Sequence, residues 1–190
     1  MGTLTTIYNP KGGTGKTTLS YSLCLDLGYY YSTNDTINSS VVLNNYDLVL
    51  DTITNKDLKD KNIVFDGGGF IDKKIINILK ISNKIIIPIE TDLTSLSTFE
   101  QVIEELLEIN PNIIVVINKV DNKNDLKDTI TYLKSKGIEN ADIYQIRKTR
   151  LFKRVLSDSI GVNELLKDNK LNQYLYNKVY SEYTKLLKII

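Results

Sequence analysis

Three glycines within four positions, Gly12, Gly13 and Gly15, followed at once by Lys16, Thr17 and Thr18, constrain this chain more than any other feature. Ahead of them stands Thr3-Leu4-Thr5-Thr6-Ile7-Tyr8, β-branched and aromatic, which stops at Asn9-Pro10 and reads as a strand running into a loop. Behind them Leu19, Leu23 and Leu27 recur at helical spacing up to Gly28, a helix ending in a glycine cap. A strand, a glycine turn and a helix gather backbone N–H groups and a helix N-terminus around one point, which is how phosphate is bound. Gly12, Gly13, Thr14 and Gly15 supply the loop. Lys16 is then expected to set its ammonium between the β- and γ-phosphates of a nucleotide, and the Thr17 hydroxyl to ligate Mg²⁺.

The rest of the chain repeats the alternation of strand and helix. Tyr29 to Thr33 reads as a second strand, and residues 41–50 as a short strand or turn. Asn62-Ile63-Val64-Phe65 enters Asp66-Gly67-Gly68-Gly69. Residues 84–89 and 112–117 are near-continuous apolar runs, as expected of strands covered on both faces. Helices are expected over 93–107 and 126–136, a last strand over 142–146, and a long closing helix with Leu171, Leu175, Val179, Leu186 and Leu187 on one side. This order predicts an α/β fold, a mostly parallel twisted sheet with helices on both faces, of the P-loop NTPase kind. In such sheets ligands bind beyond the carboxyl ends of the strands, where every motif here falls.

Length and composition narrow the chemistry. At 190 residues one domain spanning 1–190 is expected, with no helix-turn-helix extension before the loop. No apolar run approaches the roughly 20 residues that cross a bilayer. The single cysteine, Cys24, leaves no disulfide pair or thiolate metal site, and the absence of histidine removes every His-based triad or metal site. A reduced, cytoplasmic protein is the expectation. Its net charge of +1 hides an asymmetry: before Arg147 there are 14 basic against 19 acidic residues, and from Arg147 onward 10 against 4.

The loop departs from the usual pattern Gly-x-x-x-x-Gly-Lys-Ser/Thr, because the position five before Gly15 is Pro10. In its place a second lysine, Lys11, directly precedes the glycine pair. The arrangement Lys11-Gly12-Gly13-Thr14-Gly15-Lys16-Thr17-Thr18 resembles the deviant Walker A motif of the ParA/MinD superfamily. The resemblance implies that Lys11 reaches across a nucleotide-sandwich homodimer to the partner's phosphates. A cation arriving there only on dimerisation ties phosphoryl transfer to two subunits meeting. Lys11 and Lys16 are therefore the expected catalytic cations, and Lys11 to Thr18 the nucleotide-binding set.

Asp66 ends an apolar strand, where a Walker B aspartate holds Mg²⁺ through a water, so Thr17 and Asp66 are the candidate metal residues. The family's Asp-x-Asp after its second strand is replaced here by Asn34-Asp35. Asp35 is the candidate for positioning the attacking water, with Asp47 and Asp51 as rivals. Asn118-Lys119-Val120-Asp121 matches the Asn-Lys-x-Asp signature of guanine-reading proteins, yet ATP-binding members of the superfamily also place an asparagine here. ATP is favoured, with Asn118 as the base contact.

Arg147, Lys148, Arg150, Lys153 and Arg154 put five cations and no anion into eight residues. Such clusters contact phosphates without reading sequence, and the segment resembles the DNA-binding region of ParA proteins. The whole is similar to a small ParA-type partition ATPase. That resemblance implies slow ATP hydrolysis, non-specific DNA binding, nucleoid association, and stimulation by a centromere-binding ParB- or ParG-like partner. A MinD-like membrane-positioning ATPase and a dethiobiotin-synthetase-like ligase are the alternatives; membrane binding is not expected, because the closing residues 184–190 continue a core helix.

Overall fold

A computed structural model describes residues 2–35, 47–50, 52–69, 71–139, 142–167 and 169–190. Its elements alternate as the sequence suggests: β1 (Leu4–Tyr8), α1 (Lys16–Leu27), β2 (Tyr30–Thr33), a short α2 (Asp57–Asp60) and β3 (Ile63–Gly67). Then come α3 (Lys73–Ile81), β4 (Lys84–Ile89), α4 (Leu93–Ile109), β5 (Ile113–Val120), α5 (Lys123–Ser135) and β6 (Ile143–Arg147). The chain closes with α6 (Leu151–Asp158), α7 (Val162–Lys167) and α8 (Lys170–Leu187).

The six strands pair in the order β2-β3-β1-β4-β5-β6, every pair parallel. The chain leaves β1 toward β2, returns to β3 beside β1, then crosses to β4 on the other side. That reversal places β1 at the switch point, where the loops after adjacent strands diverge and leave a crevice for a ligand. The loop carrying the three glycines follows β1 directly.

Period-2 alternation splits the apolar strands between two cores. Ile85, Ile87 and Ile89 of β4, with Ile113, Val115 and Ile117 of β5, face α3, α4 and α5. Ile86, Ile114 and Val116 face the opposite layer of α1, α6, α7 and α8. Six consecutive residues of α1, Leu19 to Cys24, are buried because the helix is enclosed by the sheet and by that layer. Its end is the expected one: Gly28 lies in the left-handed region at φ 65°, and its N–H returns to the Cys24 carbonyl.

Element boundaries move for identifiable reasons. Helix α5 starts at Lys123 rather than 126, since the Asn122 side chain accepts from the Asn124 N–H at 2.8 Å and caps it. Helix α3 is an addition to the sequence reading; Ile75 and Leu79, four apart, bury its inner face, and Asp72 caps it. The apolar side of the closing helix is covered only in part. Val179, Tyr183 and Leu186 are buried, but Leu171 and Leu175 are 67% and 61% exposed. Of residues 41–50, positions 41–46 lie outside the described residues, and Val49 forms a single parallel bridge to Tyr31.

Candidate functional site

The glycine loop is pinned from several directions. Asn9, buried at the end of β1, donates to the Pro88 carbonyl at 2.8 Å and accepts from the Lys11 N–H at 2.8 Å. From β5, the Asn118 amide donates to the Thr14 carbonyl at 2.8 Å. The next residue, Lys119, adopts a left-handed φ of 53° and donates to the Gly13 carbonyl at 2.5 Å and to Glu90 at 2.7 Å. Gly15 is required twice, by its φ of 94° and because a Cβ there would lie 2.4 Å from the Asn118 amide nitrogen. Gly12 and Gly13 face open space, so the loop presents a cradle bare of side chains. The Thr14 hydroxyl is buried there without a hydrogen-bond partner.

Helix α1 begins at Lys16, immediately behind that cradle. The Lys16 ammonium donates to the Lys11 carbonyl at 3.0 Å. Burial lowers its pKa, while the charges of Asp66 and Asp35 work in the opposite direction. Both candidate carboxylates therefore act on the lysine at the cradle. The Lys11 ammonium goes elsewhere: it reaches Asp92 at 2.9 and 3.1 Å. The structure brings Lys16, Asp66 and Asp35 into one electrostatic neighbourhood and places the Lys11 charge outside it.

Asp66 is buried at the carboxyl end of β3. Burial pushes its carboxyl above the ordinary range, against hydrogen bonds from Thr17 and Tyr31 and the Lys16 charge. The Tyr31 hydroxyl, itself buried, donates to Asp66 at 2.9 Å and fixes that oxygen from the β2 side. These groups suit Mg²⁺, which takes hard oxygen ligands and usually keeps waters and phosphate oxygens beside one or two protein donors. A bare cradle, an ammonium, a buried carboxylate and a hydroxyl bonded to it fit a Mg²⁺–nucleotide.

Asp35 follows β2, and its N–H donates to the Thr33 hydroxyl at 3.0 Å, which in turn donates to the Asp66 carbonyl at 2.8 Å. Asn34 forms a two-way clasp with Gly68, donating to its carbonyl at 2.9 Å and accepting from its N–H at 3.0 Å. The Tyr8 hydroxyl holds the same glycine loop by donating to the Gly69 carbonyl at 3.0 Å. The loop bearing Asp35 and the loop after Asp66 are thus joined before any ligand arrives. Of the rivals to Asp35, Asp47 is exposed and Asp51 lies outside the described residues.

The basic segment is divided among different surroundings. Arg147 is bound to Glu182, its Nη2 at 2.5 Å, so its charge is paired although 41% of the side chain stays exposed. Lys148 pairs with Asp121 at 2.7 Å and Arg154 with Asp158 at 3.6 Å. Arg150 and Lys153 have no ion pair among the described residues. With Asn118, Phe152, Leu175 and Val179 they line a cavity of about 760 Å³ that opens beside Gly15. Four of the five cations, Arg147, Lys148, Arg150 and Lys153, line that one cavity next to the glycine loop, the first two already paired, and Arg154 pairs outside it.

Sequence reasoning missed Tyr31, Asn34, Lys119 and Asp92. Asp92 carried a signal, an aspartate just before a long apolar-periodic stretch, and it does cap α4 by accepting from the Ser95 N–H at 3.0 Å. Lys119 lay within a recognised four-residue pattern. Asn34 lay beside Asp35 in the pair that replaces Asp-x-Asp, and Tyr31 carried no signal, since its partner is 35 residues away.

Comparison with known proteins accords with this geometry. Residues 5–172 match the family model of the CobQ/CobB/MinD/ParA nucleotide binding domain. No curated protein matches the sequence. A Cyanothece McdA variant in complex with ATP has a TM-score of 0.67 at 12% identity, over 86% of this chain and 90% of its own. MinD cell division protein of Aquifex aeolicus has a TM-score of 0.68 at 17% identity, over 100% and 98%. A plasmid partition protein of Borrelia burgdorferi has a TM-score of 0.58 at 17% identity, over 83% and 97%. At these identities the likeness is one of fold.

Proposed function

The chain belongs to the CobQ/CobB/MinD/ParA nucleotide-binding family, and on that premise we propose that it is a small ParA-type partition ATPase, a single-domain switch that dimerises around ATP and then binds DNA. The observation that carries this reading is the divergence of two lysines on one loop. The Lys16 ammonium lies against the loop backbone at 3.0 Å, whereas the Lys11 ammonium leaves it for Asp92. A cation outside its own cradle is placed to complete the cradle of a second copy.

Each residue then has a role. The backbone of Gly12 to Gly15 and the Lys16 ammonium hold the phosphates, and Thr18 continues the contact into the first turn of α1. Thr17 and Asp66 would hold the protein side of Mg²⁺. Bound Mg²⁺ would neutralise charge on the phosphoryl oxygens during transfer. Asp35 orients the attacking water, and Asn34 carries its position to Gly68. Asn118 bounds the base, and Lys11 of the second copy supplies positive charge where it develops. Turnover by such a split site is slow until a partner holds the dimer in its reactive form.

DNA is the proposed target of the closed dimer, because the basic excess lies wholly in the last quarter of the chain. Arg150 and Lys153 carry most of that contact, with Lys148 and Arg154 available once their exposed pairs open. A centromere-binding partner of the ParB or ParG kind would deliver the stimulus, and association with the nucleoid follows. Among the described residues no helix is long and apolar enough to cross a membrane.

The test is DNA co-sedimentation with ADP, ATP and GTP, using wild type and Lys11→Ala. Binding that needs ATP and disappears in Lys11→Ala is expected. Equal binding with ADP, or no binding at any salt concentration, overturns the proposal, and flotation with anionic liposomes in ATP would favour the MinD-like alternative.

A further inference from the structure

Two carboxylates of the turn between β4 and α4 face the glycine loop. Glu90 takes Lys119 at 2.7 Å, and Asp92 takes Lys11 at 2.9 Å. Lys119 also holds the Gly13 carbonyl, so its charge stays within the subunit. Lys11 differs, because among the described residues its ammonium bonds to Asp92 alone.

We propose that Asp92 is a positioning residue that latches Lys11 within its own subunit, and that this latch must open before Lys11 can reach the nucleotide of a second copy. The inference rests on the dimer reading above. Its grounds are geometric. The Lys11 backbone cannot travel, since its N–H is held by Asn9 and its carbonyl by Lys16. Only the flexible four-carbon side chain can swing. Asp92 cannot follow it, because the same carboxylate caps α4 through the Ser95 N–H, where the helix N-terminus favours negative charge. The pair therefore has two states, Lys11 docked on a fixed carboxylate or Lys11 released.

The latch is built to be weak. Side-chain exposure is 22% for Lys11 and 47% for Asp92, so water and salt screen the pair. Exposed pairs of this kind bias an equilibrium by about two- to fivefold. Phosphates presented by a second copy offer Lys11 more negative charge than one carboxylate, so docking of that copy can draw the lysine off. Without a nucleotide nothing competes, and Asp92 keeps the cation from meeting another copy prematurely.

The experiment is sedimentation equilibrium with Mg²⁺ and a non-hydrolysable ATP analogue, on wild type, Asp92→Asn, Lys11→Ala and the double variant. Asparagine caps helices as well as aspartate does, so α4 is preserved while the charge is removed; unchanged circular dichroism checks this. The dimer dissociation constant of Asp92→Asn should fall about 4- to 25-fold, since each of two copies releases a latch worth about two- to fivefold. Raising salt should narrow that gap, and the double variant should gain nothing over Lys11→Ala. Equal or weaker dimerisation of Asp92→Asn beside a wild type that dimerises overturns the latch alone. An equal gain in the double variant also overturns it, because the effect would not pass through Lys11. No dimer from either wild type or Asp92→Asn overturns latch and dimer reading together.

Discussion

The glycine loop and the basic C-terminal quarter are both rich in cations, yet they are organised on opposite principles. Around the loop the main chain is the fixed quantity: Asn9, Asn118, Lys119 and Lys16 all spend side-chain hydrogen bonds on loop carbonyls or N–H groups. In the C-terminal quarter the main chain is ordinary strand and helix, and the side chains settle on one another, Arg147 on Glu182 and Arg154 on Asp158. The first region is the candidate site, and its backbone is held in place by those bonds. The second is a surface whose available charge depends on which pairs form.

Removing Lys16 probes the first region and gives the largest expected effect. Charge-assisted hydrogen bonds contribute about 1.5–3 kcal/mol, so Lys16→Ala should weaken ATP binding by about 10- to 100-fold in titration calorimetry, with the fold retained. A loss below about threefold would mean that backbone amides alone hold the phosphates, and the comparison would weaken.

Glu182 tests the second region. Burial works to raise its carboxyl, but hydrogen bonds from Arg147 and Gln145 prevail and hold it below its ordinary value of 4.5. Glu182→Gln should cost about 1–2 kcal/mol of unfolding free energy, at the lower end because Arg147 is partly solvated. A depressed carboxyl adds stability above its unfolded pKa and loses it as pH falls through the folded one. The gap between wild type and variant in urea denaturation should therefore be full near pH 7 and shrink progressively in acid, as pH falls past the ordinary 4.5 and through the lower folded-state value. A gap that widened in acid would show that the pair is not what holds Arg147.

The smallest effect belongs to Arg154. Its pair with Asp158 is an exposed one four residues along α6, so Arg154→Ala should change stability by less than about 0.5 kcal/mol. Its effect on DNA sharpens the contrast within the segment. Removing a cation that sits on a DNA phosphate lowers the salt slope of binding by about one, so Arg150→Ala should do this fully and Arg147→Ala hardly at all. Equal slopes for the two would return the segment to a single uniform surface.

Much of the architecture was legible because it follows from periodicity. Near-continuous apolar runs such as 84–89 and 112–117 specify strands buried on both faces, and the spacing in α1 and α4 specifies helices. The phosphate loop was legible because its conformation demands glycine at particular positions. Periodicity alone does not say how much of a stripe is covered: helix α8 has apolar residues along its length, but only its later turns meet the sheet and α1 layer, leaving Leu171 and Leu175 exposed. Asn34, Tyr31 and Asp92 escaped because each acts through a partner brought near only by the strand order.

By itself the sequence determined a parallel α/β sheet, a phosphate loop at the end of its first strand, and an unusual second lysine at Lys11. Those properties are local, set by backbone conformation and by the period of burial within short stretches. Only the tertiary structure decided where the Lys11 ammonium rests, which carboxyl oxygen Tyr31 fixes, and how many of the five clustered cations remain unpaired. Long charged side chains choose among neighbours contributed by distant strands, and that choice exists only once the switch between β1 and β4 has brought those strands side by side.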